Sequence, residues 1–191
     1  MAAFIQNSNR ADSGDVGIMF PGDRFPVIVG PNLRISGWRG GLWVQYVTAG
    51  DDFTVEVSDG NLACGFILFQ SENYTLTPPI GTGPGSPQNF TSQQFLNPTG
   101  GNNVVTMVNG GTRAFFRLFE TVALNGAGAR AGGAITYVLT ENLKVSENGL
   151  LCNDSDANLA AAGVTTPIVV GIVSALPSAA NGTRLCLDMK Y

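Results

Sequence analysis

The chain has 191 residues, 10 basic and 14 acidic, and no histidine; charged residues are 13% of the total, about half the ~25% of an ordinary soluble domain. The lack of histidine excludes Ser-His-Asp and Cys-His catalysis, the commonest general base near neutral pH and most catalytic zinc sites. A net charge of −4, with Lys144 and Lys190 as the only lysines and eight arginines scattered without a run, leaves no basic footprint for nucleic acid.

Residues 1–12 read as an extended N-terminal arm. The opening MAAFIQNSNR has no basic segment followed by an apolar stretch, so no export leader is expected. Phe4 and Ile5 stand outside the first strand, where apolar side chains call for a partner. Short apolar runs separated by turn residues then predict strands at 24–29, 32–36, 42–47, 53–58 and 63–69, which makes 13–76 a first β lobe. The stretch 77–103 holds five of the ten prolines and no charge, and carries Phe90, Phe95 and Leu96. It is expected to be a linker or an arm that orders on a partner, and a plain linker has no use for those three side chains.

Further strands are predicted at 104–108, 112–121, 134–140, 143–146, 168–174 and 184–189. They make 104–191 a second lobe, separate or packed with the first as one domain. Asp-Gly at 59–60 and Asn-Gly at 109–110, 125–126, 148–149 and 181–182 mark tight turns, because these residues tolerate positive φ. One short helix is expected at 155–162, capped by Ser155 or Asp156. The 18 uncharged residues 159–176 reach the crude length of a membrane span, but Gly163, Pro167 and Gly171 interrupt them; a turn leading into a buried strand is expected. The fold class is therefore all-β, a barrel or sandwich of short strands with an arm and a long central loop.

Several constellations invite chemistry. Asp154, Asp156 and Asn158 open like a calcium loop, but Leu159 and Thr165 stand where an EF-hand needs glycine and glutamate, so a polar turn with a helix cap is expected. Asp51-Asp52 reads as a solvated turn, because adjacent strand residues point to opposite faces. Glu120, Glu141 and Glu147 could serve carboxylate hydrolysis only if the fold paired them across a cleft. The glycine-rich 126–133 lacks the Lys-Ser/Thr of a phosphate loop and reads as flexible. Trp38 and Trp43 flank glycines, as a sugar-stacking pair would, or as one core and one interface residue. Cys64, Cys152 and Cys186 form no CxxC pair and lie in apolar runs, as reduced core cysteines of a reducing cytoplasm do. The four N-x-[ST] sequons, at Asn73, Asn89, Asn153 and Asn181, are expected by chance in so Asn- and Thr-rich a chain. Finally, VSDGNLAC at 57–64 echoes VSENGLLC at 145–152. No catalytic residue, metal site or cofactor is expected.

The segment SGDVGIMFPGDRFPVIVG from Ser13, followed by ISGWRGGLWVQYVTAGDDFTVEVSDGNLACGFILFQSEN, has the rhythm of short strands and glycine turns. Together with KVSENGLLCND and TTPIVVGIVSALPSAANGTRLCLDMKY, it resembles the head decoration and cement proteins of tailed bacteriophages. The resemblance implies a β-barrel protein made in the bacterial cytoplasm that binds the outside of an expanded capsid as a homotrimer and clamps neighbouring major capsid subunits. Nucleic acid and membrane are not expected partners. Phe4, Ile5 and Arg10 are then the candidate capsid contacts, and Trp38, Trp43, Phe90, Phe95 and Leu96 the candidate lateral or trimer contacts. The rival reading is a carbohydrate-binding or adhesin module of a phage tail or fibre, with Trp38, Trp43 or Tyr46 lining a groove.

Overall fold

A computed structural model describes residues 16–18, 23–36, 40–47, 53–68 and 104–190. Phe4, Ile5, Arg10, Trp38, Phe90, Phe95 and Leu96, the arm 1–12 and the stretch 77–103 lie outside these described residues. The strands are β1 (Val16–Ile18), β2 (Asp23–Val29), β3 (Trp43–Tyr46), β4 (Thr54–Val57), β5 (Gly65–Ile67), β6 (Val104–Gly110), β7 (Arg113–Phe116), β8 (Asn142–Val145), β9 (Leu151–Cys152), β10 (Val169–Ala175) and β11 (Leu185–Met189). The helices are α1 (Pro31–Ser36) and α2 (Asp156–Ala161). Strands β2-β4-β3-β5-β6 close into a barrel, and β1-β7-β11-β10-β8-β9 form a second, six-stranded sheet. The protein is all-β with a barrel.

The two sheets do not divide the chain at 77–103. Strand β6, beyond that stretch, closes the barrel by pairing with β2 (Phe25 opposite Met107), and β1, before it, pairs with β7 in the second sheet (Val16 opposite Phe116).

Alternation along the barrel strands builds two cores from the same strands. Val44, Ile67 and Met107 point into the barrel with Val27, Val29, Val55 and Val105. Their neighbours Trp43, Phe66 and Val108 point outward onto the second sheet, against Ala114, Phe116, Leu143, Leu185 and Leu187. Trp43, Phe66 and Phe116 form an aromatic triad at this junction, with ring centroids 5.6, 6.4 and 4.9 Å apart for the pairs 43–66, 43–116 and 66–116. A smaller cluster of Leu124, Cys152, Leu159 and Val164 seats α2. Ser155 caps that helix by accepting from the Asn158 N–H at 3.2 Å, as its sequence predicts.

Three predicted elements differ from the structure. Residues 32–36 alternate like a strand but form α1. Pro31 supplies the fixed φ of a first helical position, and the Glu56 carboxylate, from β4, accepts from the N–H groups of Asn32 and Leu33 at 3.0 and 2.8 Å. Residues 134–140 make one isolated bridge, Ala134 with Val122, and are otherwise tied by single bonds: Ile135 N–H to the Thr121 carbonyl at 3.0 Å and Tyr137 Oη to the Glu120 carbonyl at 2.6 Å. The long strand expected at 112–121 stops at Phe116.

The internal echo has a physical meaning. Ser58 and Ser146, both fully buried, organise their turns alike: Ser58 Oγ accepts from the Gly60 N–H at 3.1 Å, and Ser146 Oγ accepts from those of Asn148 and Leu150 at 3.2 and 3.3 Å. The two turns then pack on each other. A Cβ at Gly60 would lie 2.8 Å from the Val145 carbonyl oxygen, and one at Gly149 would lie 2.7 Å from the Val57 side chain and 2.8 Å from the Trp43 carbonyl oxygen. The Gly149 carbonyl accepts from Trp43 N–H at 2.9 Å, so the turn also joins the sheets by backbone. Asn61 adds a third tie: its Oδ1 accepts from the Thr165 and Thr166 N–H groups at 2.7 and 3.1 Å.

Gly149 has φ +70. Gly149→Ala is expected to cost about 2–4 kcal/mol in urea unfolding, from left-handed strain plus the contact with the Trp43 carbonyl. Gly133→Ala, with nothing within 4 Å of its Cβ and no positive φ, is the matched control and should stay within about 0.5 kcal/mol of the parent.

Candidate functional site

Four of the described charges gather in one place. Arg130, in the glycine-rich loop, reaches three carboxylates: Glu147 at 2.9 Å, Asp154 at 2.5 Å and Glu120 at 3.5 Å. It also donates to the Val122 carbonyl at 3.1 Å. Glu120 and Asp154 are buried. Glu120 accepts further from Ser146 Oγ at 2.7 Å and Asn148 Nδ2 at 3.1 Å, and Asp154 from the Leu124 N–H at 3.3 Å. Burial opposes the charge on Arg130, but the hydrogen bonds to Glu147 and Asp154 and the nearby Glu120 outweigh it and hold the guanidinium above its ordinary range.

This arrangement answers the carboxylate question. Glu120, Glu147 and Asp154 are brought together, but around a guanidinium rather than across a cleft, and Glu141 is elsewhere, accepting from Asn153 Nδ2 at 2.8 Å and Val138 N–H at 3.1 Å. The loop 126–133 is correspondingly not the free loop its composition suggests. Arg130 pins it, and Gly128, at φ +80, sits where a Cβ would be 2.3 Å from the Ala161 carbonyl oxygen. The calcium-like run is also spent internally: Asp154 on Arg130, Ser155 on its helix, Asp156 on Lys144 at 2.7 Å. Among the described residues, no group of His, Cys, Asp and Glu is arranged to hold a metal ion. Asp51-Asp52 lies outside the described residues.

Trp43 corrects the contact list. It is 1% exposed, locked in the junction between barrel and sheet, and can serve neither as a lateral contact nor as a sugar platform. Its strand position explains this: Trp43 faces the second sheet while Tyr46, at the end of β3, is 39% exposed. The cysteines are free. Burial pushes the Cys64 and Cys152 thiols up to about 11, so neither is a nucleophile at neutral pH. Of the sequons, Asn153 donates its amide to the Thr136 carbonyl at 2.9 Å, and Asn181 donates to the Leu176 carbonyl at 2.8 Å.

On the outer side of β7 and β11, Arg113 and Asp188 face each other as cross-strand partners joined by a bidentate ion pair. The hydrogen bonds from Arg113 hold the Asp188 carboxyl below its ordinary range. A carboxyl depressed in the folded state adds stability above its unfolded value and loses it as pH falls through the folded one. Asp188→Asn is therefore expected to shrink the stability difference between neutral pH and pH values below the usual carboxylate range. The pair is partly exposed, so the change in urea midpoints should correspond to no more than about 1 kcal/mol.

A different kind of site lies at one end of the second sheet. Thr140 (φ 68) and Thr183 (φ 59) are the non-glycine residues in the left-handed region among those described. A β-branched residue rarely adopts this conformation, and it persists where the surroundings over-determine it. Thr140 N–H donates to the Val173 carbonyl at 2.8 Å and its Oγ1 to the Leu139 carbonyl at 2.6 Å; Thr183 N–H donates to the Ser178 carbonyl at 2.8 Å. Thr140 lies just before β8 and Thr183 just before β11. Near them Val138, Leu139 and Leu176 are exposed at 57, 52 and 39%, with the Glu141 carboxylate on the Val138 N–H and the Arg117 and Arg184 guanidinium groups beside Gly182. No charged residue occurs in 134–140 or in 168–183. Nothing in the sequence marks these side chains: 134–140 has the composition of an ordinary strand, and a positive φ at threonine leaves no compositional trace.

The class that fold and site define is an all-β protein, barrel joined to sheet, with buried acids paired internally and exposed apolar side chains near two left-handed threonine turns. The chain matches no protein-family model and no curated protein.

Proposed function

We propose that the chain is a structural virion protein that decorates the outside of a phage capsid and clamps neighbouring major capsid subunits. The observation that carries this reading is the set of exposed apolar side chains Val138, Leu139 and Leu176, near two turns built around left-handed threonines. A pre-ordered apolar surface loses little conformational entropy when it docks. Buried charges satisfied within the chain, around Arg130 and Glu120, fit a scaffold that works by contact rather than by chemistry. The strand-and-turn resemblance over 13–30, 35–73, 144–154 and 165–191 points the same way. In this reading the protein acts as a homotrimer on the virion exterior, after synthesis in the host cytoplasm, with no enzymatic step, cofactor, nucleic acid or membrane.

The test is occupancy on expanded empty heads. Leu139→Asp is expected to lower the affinity about tenfold or more, with the melting temperature unchanged, because an anchor side chain is replaced by a charge at an apolar contact. Unchanged affinity would remove this face from the interface.

A further inference from the structure

The four Asn-Gly steps in the described residues are chemically alike but structurally unequal. Asn109-Gly110 lies at the end of β6, where Gly110 is paired with Asp23 and a register shift skips Asn109. At Asn148-Gly149 the Gly149 N–H is tied to the Ser146 carbonyl at 3.0 Å, and the Asn148 amide nitrogen donates to Glu120 and Glu147, each at 3.1 Å. At Asn181-Gly182 the Gly182 N–H is directed at the Ala179 carbonyl at 3.4 Å, and the Asn181 amide nitrogen is held by the Leu176 carbonyl.

Asn125-Gly126 differs from all three in how its side chain is held. Its side-chain Oδ1 accepts from the N–H groups of Ala127 and Ala129 at 2.9 and 3.1 Å, so the carboxamide is folded forward over its own following peptide. The Gly126 N–H and the Asn125 amide nitrogen make no hydrogen bond among the described residues. Gly126 is exposed, with nothing within 4 Å of where a Cβ would be.

We infer that Asn125-Gly126 is a self-modifying site, at which the folded protein deamidates faster than at its other described Asn-Gly steps. The Gly126 nitrogen attacks Asn125 Cγ and passes its proton to solvent, forming the N–Cγ bond. Negative charge then develops on Oδ1, where the Ala127 and Ala129 N–H groups already point, as donors do in an oxyanion hole. The Cγ–Nδ2 bond breaks and ammonia leaves, unheld by any neighbour. Solvent water then opens the resulting five-membered imide at either carbonyl, giving aspartate or isoaspartate. The aspartate product keeps both N–H bonds. The isoaspartate product inserts a methylene into the main chain three residues before Gly128, whose backbone has no room to shift against Ala161. That branch loosens the loop that carries Arg130, so the site acts as a slow mark of protein age.

The experiment is peptide mapping by mass spectrometry of the full chain, folded and in urea, aged at mildly alkaline pH. A mass gain of about 1 Da is expected to accumulate in the 125–126 peptide about tenfold faster than at 109, 148 and 181 in the folded protein, with the four rates converging in urea. Gly126→Ala fits the open space and keeps the fold, and its added Cβ shields the attacking nitrogen, so it is expected to slow the reaction at this position alone. A folded protein in which any of the other three steps reacts as fast as 125–126 overturns the inference. So does a folded Gly126→Ala chain that reacts at the parental rate.

Discussion

Replacing Arg130 by methionine is expected to cost about 3–5 kcal/mol in urea unfolding, the largest effect of any single charged residue described. The side chain is 17% exposed and neutralises Glu120 and Asp154, which are 10 and 4% exposed. Removing the guanidinium leaves two carboxylates in a site with little water and no other cation in reach; Lys144 is engaged by Asp156 and the Asp154 carbonyl. The cost comes from stranded charge rather than lost contact area. Adding Glu120→Gln and Asp154→Asn to the methionine variant is accordingly expected to recover part of the loss. If the triple variant is no more stable than the single one, Arg130 acts through packing and the electrostatic account of this centre is wrong.

Phe116→Ala is the second large effect, also expected at about 3–5 kcal/mol. Phe116 is fully buried on β7, and its ring meets both Phe66 and Trp43 of the barrel. The cavity would open at the junction of the two sheets, where neither side can collapse without moving the other. The expected outcome is one unfolding transition at a lower urea midpoint, with barrel and sheet lost together. Two separated transitions, one following Trp43 fluorescence and one following the total β signal, would mean that the sheets are independent.

What was legible in the sequence was what local chemistry decides. Asp59-Gly60 and Asn148-Gly149 announced their turns, since Gly60 and Gly149 adopt φ +86 and +70. The Ser155 cap was legible because cap and helix are neighbours. Asn32 to Ser36 misled because its apolar alternation fits a strand, whereas the group that stabilises α1 is Glu56, two dozen residues away. Strands β1 and β9, three and two residues long, are too short to carry a period. The Arg130 centre was illegible for a related reason: a loop of glycines and alanines reads as slack, and the carboxylates that hold it lie 10 to 24 residues along the chain. Composition marked Trp38 and Trp43 as a pair, but only the strand register assigns Trp43 to the interior.

The sparse charge of the chain takes on a structural sense here. The buried acids are satisfied internally, and Val138, Leu139 and Leu176 are left exposed near braced turns. The most direct measurement is cosedimentation of the purified protein with expanded empty phage heads across a range of protein concentrations. The account predicts saturable binding at a fixed ratio to the major capsid subunit, weakened by Leu139→Asp. A protein that stays monomeric and remains at the top of the gradient at every concentration would contradict it.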